Sequence, residues 1–301
     1  IKNSSREAFK LLNSHLKKDI LVSDDIGFTI APKLNSAGRM DDASIALNFL
    51  LSKDQSSAYE SLAVLDELNS YRKTIQERIS NEAEQKSNKE DRAVVVWAED
   101  WHEGIIGIVA SKLSNSHKKP AFIFSIQNGI AKGSARANSN INLYDLISKA
   151  SHLLLGFGGH KNAAGLSLLE ENLPEFKEII NKEIEKADDI LHNEFITLGE
   201  LDVSSVDLEF ISIIESFEPY GLENNRPVFR VSNANLVKSE LIGKDKNHLK
   251  LTLSSDGFVF EALKFFNSNT NLNDKLDLIV SISKNEFRGV VTPSFLIQEF
   301  L

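Results

Sequence analysis

The apolar periodicity of this 301-residue chain changes twice, and those changes bound the folds open to it. Up to a polar break at residues 88–92 the spacing is helical. Residues 4–18 repeat through Phe9, Leu12 and Leu16, with serines where a helix would be capped. A polar, extended stretch follows to Asp41, and Asp41 and Asp42 are placed to cap a short helix over 43–52. From Ser56 to about Lys86 there is no glycine or proline, which predicts one long helix. Its inner stripe runs Leu62, Leu65, Asn69, Arg72, Gln76, Ile79, Ala83. A connecting helix would keep that stripe apolar throughout, so the polar centre is expected to face a partner or a wet cleft.

After the break, strands and helices alternate: strand 93–98, helix 104–113, strand 121–125, strand 130–137, helix 143–154, strand 164–169, helix 174–190. Such alternation predicts helices packed on a sheet. Beyond residue 195, apart from one helix over 207–216, six β-rich segments follow: 228–233, 235–242, 249–254, 258–265, 276–283 and 290–299. Strands that short, separated by turns such as Ser255-Asp256-Gly257, predict a small antiparallel barrel of the OB type. The expected fold class is thus α/β plus β. A helical connector with the long helix spans 1–88, an α/β domain 89–192 and an OB-like barrel 193–301.

Composition narrows the chemistry. With no cysteine, disulfides, thiol nucleophiles and cysteine zinc sites are excluded. The longest apolar runs, such as 93–98, are too short to span a bilayer, and no charged-then-apolar leader opens the sequence, so a cytoplasmic protein with no membrane partner is expected. Ile1 opens the sequence and Met40 is the single methionine, from which a longer reading frame is expected. The net charge of −9 argues against indiscriminate binding to nucleic acid. Residues 170–200, with ten acids and three lysines, hold −7 of it, and the remaining −2 leaves room for a local basic groove.

Four segments carry the candidate chemistry. Gly156-Phe157-Gly158-Gly159-His160-Lys161-Asn162-Ala163-Ala164-Gly165 lets the backbone approach a ligand closely. Its exposed N–H groups would form an anion-binding turn, with His160 as a further donor. The alternative is a tight strand connection with a structural histidine. Ser134 and Arg136, two apart on a strand, share a face and suit one phosphate. Trp101-His102-Glu103-Gly104 joins a strand to a helix whose N-terminus suits an anion, though a buried tryptophan and a capping histidine fit equally well. Residues 30–39, including Leu34-Asn35-Ser36-Ala37-Gly38-Arg39, read as a structured loop in which Gly38 is left-handed. Arg39 there would pair with Asp41 and Asp42 or reach a phosphate.

The Gly-Gly-His-x-x-Ala-Ala-Gly pattern resembles the signature of the DHH-associated domain, the nucleic-acid-binding partner of the DHH phosphoesterases. Taken with Leu34–Arg39, residues 65–72 (LDELNSYR), 101–111 (WHEGIIGIVAS) and 133–136 (GSAR), the whole chain is similar to the RecJ family of bacterial single-strand-specific DNA exonucleases, downstream of their catalytic domain. Residues 219–229 (PYGLENNRPVF) resemble that family's lead into its OB-fold, except that Glu223 stands for a glycine and Asn225 for a proline.

The resemblance implies a 5′→3′ exonuclease on single-stranded DNA, active in recombination and repair and using Mn²⁺ or Mg²⁺. The family's ions are held by aspartates and histidines of the DHH domain, including an Asp-His-His triplet absent from this sequence. Asp24-Asp25 and Asp41-Asp42 are adjacent pairs whose side chains diverge, so no metal or other cofactor and no catalytic residue is expected in this chain. The chain would position the strand and cleave nothing alone. Ser134, Arg136, Gly158, Gly159 and His160 would grip phosphates, His102 would stand beside them, and Arg39, Asn69 and Arg72 would line the entry. Of Phe258, Phe260, Phe265 and Phe287, those facing out of the barrel would stack bases. Expected partners are single-stranded DNA, the catalytic DHH domain and, through the barrel, DNA-repair proteins. Two other readings stay open: a DHH phosphoesterase for short oligonucleotides or cyclic dinucleotides, and a non-catalytic binding module.

Overall fold

The computed structural model describes residues 4–16, 21–137, 141–186, 196–244, 246–265, 267, 270–287 and 289–301. The chain divides into two compact units, Ile1–Glu194 and Phe195–Leu301.

The first unit opens with helices: α1 (Glu7–Leu16), α2 (Ser23–Asp25), a π-helical segment Ile26–Ile30, α3 (Ala31–Met40), α4 (Ser44–Leu50) and the long α5 (Gln55–Lys86). Asp54 caps α5, accepting the Ser57 N–H at 2.9 Å. The stretch before Asp41, read from sequence as extended, is therefore helical, and residues 31–40 are a helix in place of a loop. Pro32 follows closely on the π-helical segment, with Ile30 and Ala31 both in the helical conformation, so it lies within a continuous helical run. Ser36 and Ala37 are fully buried, and their small side chains bring α3 close to α5. The Ser36 hydroxyl donates back to the Lys33 carbonyl at 2.6 Å, so the buried oxygen is satisfied. Tertiary burial thus overrides the weak helix propensities of Asn35 and Gly38. Gly38 is absent from the left-handed residues and lies within the helix. Asp42 accepts the Ser44 N–H at 2.7 Å at the start of α4.

Next come β1 (Val94–Glu99), α6 (Glu103–His117), β2 (Ala121–Gln127), β3 (Ile130–Arg136), α7 (Leu143–Ser148), β4 (Leu154–Gly159), β5 (Ala163–Leu169) and α8 (Leu173–Glu185). They form a five-stranded sheet of order β1-β2-β3-β5-β4, with β1 parallel to β2 and the other pairs antiparallel. Asn128-Gly129, both at positive φ, closes the β2–β3 hairpin as that dipeptide favours. One face packs Phe122, Phe124, Ala135, Leu166 and Leu168 against Ile147 of α7 and Phe176 and Ile180 of α8. The other packs Val94, Val96, Ala121 and Ile123 against α6 and the end of α5. The helix expected over 143–154 stops at Ser148: Leu153 enters the core after a 3₁₀ turn, and Leu154 already pairs with Leu168.

The second unit holds α9 (Leu208–Glu215) and a closed barrel of β6 (Val228–Ile242), β7 (His248–Ser255), β8 (Phe258–Lys264), β9 (Lys275–Phe287) and β10 (Val290–Phe300), in the order β10-β8-β7-β6-β9. Closure removes exposed sheet edges, and Val231, Leu251, Leu278, Val280 and Ile282 fill the interior. The two segments expected at 228–233 and 235–242 are one strand. It bends where its register shifts between Val231 and Ala234, at Asn233 with φ +53°.

Candidate nucleic-acid interface

The period of two along β3 places Lys132, Ser134 and Arg136 on one face. Their partners on β5 are Ser167, Gly165 and Ala163. Beyond these on β4 stand Gly156 opposite Ser167 and Gly158 opposite Gly165. Two rows thus cross three strands, Ser134–Gly165–Gly158 and Lys132–Ser167–Gly156, and the glycines leave the floor almost bare. A Cβ at Gly158 or Gly165 would meet nothing within 4 Å. Helix α6 forms the wall, with Glu103, Gly104, Ile106 and Gly107 beside the strand face. The groove so made has a volume of about 560 Å³ and includes Arg39 and Arg136 in its lining.

Arg39 and Arg136 line the groove, Arg72 lies within electrostatic reach of Arg39, and each of the three guanidiniums is held by neutral oxygens. Arg136 Nη1 donates to Ser134 Oγ at 2.9 Å and to the Ala135 carbonyl at 2.8 Å. Arg39 Nη1 donates to the Gly104 carbonyl at 3.0 Å, so its side chain joins α3 to α6 in place of pairing with Asp41 and Asp42. Arg72, buried on α5, donates through Nε to Asn69 Oδ1 at 3.2 Å and through Nη1 to Gln76 Oε1 at 2.5 Å. The polar centre of the long helix is therefore an arginine clamp built from residues at i, i+3 and i+7. Burial and then the charge of Arg39 push the Arg72 and Arg136 guanidiniums below their ordinary pKa. No ion pair to any of the three is present among the described residues. A guanidinium stays protonated in proteins, so this is stored positive charge, and a phosphate with several acceptor oxygens is its natural complement.

The glycine segment contributes differently from its sequence reading. It is the edge strand β4 followed by a tight connection to β5. The His160 N–H donates to the Ala163 carbonyl at 2.8 Å and is spent. The His160 side chain is exposed and outside the groove lining. Gly159, at φ +156°, is needed sterically: a Cβ there would lie 2.4 Å from the Ala163 carbonyl oxygen. Gly158 shapes the floor. His102 takes the capping role, its Nδ1 accepting the Gly104 N–H at 3.1 Å, and Trp101 is buried with Nε1 donating to Glu82 Oε2 at 2.7 Å. Arg39, Asn69, Arg72, Ser134 and Arg136 are thus brought together, and His102 and His160 are not part of that cluster. Lys132, Gly107 and Ser167 join the groove, with the period of β3 as the one sequence signal that marks Lys132.

In the barrel, Phe258 and Phe265 are exposed, while Phe260 is buried with its ring 4.8 Å from that of Phe295. The side chain of Phe287 lies outside the described residues. The departure at residues 219–229 is accommodated: Glu223 adopts φ +64°, the region a glycine would take freely, and Gly221 and Asn224 exchange backbone hydrogen bonds across it. No three His, Asp or Glu side chains cluster to hold a metal among the described residues. No described helix is long and apolar enough to cross a membrane.

Comparison with known proteins agrees with this architecture. Residues 90–186 match the DHHA1 domain and residues 199–299 the RecJ OB domain. The single-stranded-DNA-specific exonuclease RecJ of Bacillus subtilis is 32% identical over 92% of this chain and 36% of its own length. That of Haemophilus influenzae is 34% identical over 89% of this chain and 50% of its own length. The crystal structure of RecJ from Thermus thermophilus in complex with Mg²⁺ superposes with a TM-score of 0.80 at 25% identity, over 99% of this chain and 47% of that one. The chain thus spans about a third to a half of the relatives it matches. With both domains matched in order and nearly all of its length aligned, the chain belongs to the RecJ family.

Proposed function

We propose that this chain is the DNA-positioning part of a 5′→3′ single-stranded-DNA exonuclease acting in recombination and repair. The observation that carries the reading is the group Arg39, Arg72 and Arg136, held by neutral oxygens, two of them in the lining of a groove floored by glycine. Fixed guanidiniums without carboxylates bind phosphate and carry no base preference. The bare glycines of that floor let the sugar–phosphate backbone lie close to β5 and β4. Hydrolysis is assigned to a DHH domain carrying Mn²⁺ or Mg²⁺, in the part of the relatives beyond this span. The exposed Phe258 and Phe265 give the second unit surfaces of its own on which bases stack.

The test is an anisotropy titration of the chain with labelled single-stranded DNA and a duplex of equal length. Preferential binding of the single strand, weakened about 10- to 150-fold in Arg136→Ala, is expected, as loss of a charge-assisted contact costs about 1.5–3 kcal/mol. Equal affinity of wild type and Arg136→Ala would overturn the reading. Tighter binding of dinucleotides than of long strands would favour a phosphoesterase for short substrates. Metal-dependent hydrolysis by the chain alone would overturn the assignment of chemistry to another domain.

A further inference from the structure

Lys132 lies two residues before Ser134 on the same face of β3, about 7 Å further along the strand, and it lines the same groove. Unlike the three arginines it is not left without a counter-charge. Its Nζ meets both oxygens of Glu103, at 3.0 and 3.1 Å, from the first turn of α6. Both side chains are well exposed, 59% and 38%, so the pair gains little from its own attraction. Glu103 is thus an acid on the wall of a groove whose other charges are positive, and it covers the one lysine in line with Ser134 and Arg136.

We infer that Lys132 is a second phosphate subsite, gated by Glu103. The inference rests on the proposed reading of the groove. A phosphate seated at Arg136 and Ser134 directs the strand along β3, and the neighbouring phosphate reaches Lys132 only by displacing the Glu103 carboxylate. An isolated anion has no second phosphate to pay that cost with, so Glu103 discriminates a polyanionic strand from single phosphate groups. The ligand class is a phosphodiester chain of at least two phosphates.

The experiment is a double-mutant cycle in the whole chain: wild type, Glu103→Gln, Lys132→Gln and the double variant, each titrated with labelled oligothymidylate over a salt series. Glu103→Gln is expected to tighten binding roughly two- to five-fold, the size of an exposed ion pair, with an unchanged salt slope. Lys132→Gln is expected to weaken binding and to reduce the slope of log K against log salt by about 0.7, the loss of one single-strand phosphate contact. In the Lys132→Gln background the Glu103→Gln gain should vanish. A gain that persists there would be general relief of negative charge and would overturn the gate. An unchanged slope in Lys132→Gln would overturn the subsite. If Arg136→Ala still weakens binding while these variants do nothing, this inference alone fails; if wild type does not bind or Arg136→Ala is silent, the proposed function fails with it.

Discussion

Gly107 of α6 lies over Ser134 of β3: a Cβ at Gly107 would stand 3.1 Å from Ser134 Oγ and 3.2 Å from Arg136 Nη2. The glycine sits mid-helix, where alanine is favoured by about 1 kcal/mol. Its presence there is explained by what it makes room for. The hydroxyl and the guanidinium share one small space under α6, and the helix gives up propensity to leave it open.

Gly107→Ala is therefore expected to separate stability from binding. The gain in helix propensity offsets the tight contact, leaving the denaturation midpoint within about 1 kcal/mol of wild type. Arg136 must move, so single-strand affinity falls. Retained affinity with a shifted midpoint would mean that the Ser134–Arg136 geometry does not matter for binding.

Gly104 offers the contrasting case. Its missing Cβ would lie 2.2 Å from the Arg39 carbonyl oxygen, a main-chain atom that cannot swing aside. Gly104→Ala is expected to cost about 1–3 kcal/mol by overpacking and to part α3 from α6, loosening the Arg39 bond to the Gly104 carbonyl. Urea denaturation would read the first effect and DNA titration the second.

Part of this site is legible in the sequence. Ser134 and Arg136 share a face because strand period is local, and the polar centre of the Leu62–Ala83 stripe marks Asn69, Arg72 and Gln76 because helix period is local too. The grouping of Arg39 with Arg72 and Arg136 came from the family resemblance and not from local pattern, since it depends on how closely α3 packs on α5 and α6. The small residues that permit that approach, Ser36, Ala37 and Gly38, read locally as loop. The strand character of the glycine segment was hidden for a related reason. Positive φ is one use of glycine and a bare strand face is another, and a strand without side chains shows no alternation to read. The barrel was legible strand by strand, except that the bend at Asn233 resembles a turn between two strands.

Glu223 holds a left-handed conformation at φ +64°, which costs a side-chain-bearing residue about 1–2 kcal/mol. Part of that is returned by the lower flexibility of a non-glycine unfolded chain. Glu223→Gly is expected to stabilise the second unit by about 0.5–1 kcal/mol. A midpoint that falls instead would show that the Glu223 side chain makes a compensating contact.

Asp277 braces the bend of β6. It accepts the Asn233 N–H at 2.7 Å and a bond from Arg230 at 3.0 Å. These, the backbone bond foremost, hold its carboxyl below the ordinary aspartate pKa. The sign follows: the contribution is full above the unfolded-state value near about 3.9 and is lost as pH falls through the lower folded value. Asp277→Asn should therefore flatten the acid limb of the barrel's stability below about pH 4. An acid limb of unchanged steepness would mean that other carboxylates carry it.

Arg72 tests the proposal that the groove stores positive charge for a phosphate. It is buried, bonded among the described residues only to the side-chain amide oxygens of Asn69 and Gln76, and repelled by Arg39. In the free protein that charge opposes folding, and its removal by a side chain of similar length relieves the strain. Arg72→Met is expected to leave the thermal midpoint at or above that of wild type while single-strand affinity falls. Wild type should also gain stability from added oligonucleotide as RT ln(1 + [L]/Kd), about 2.7 kcal/mol at a hundredfold excess over Kd, and the variant should gain far less. A variant that is less stable yet binds normally would make Arg72 a structural brace of α5 and remove it from the DNA path.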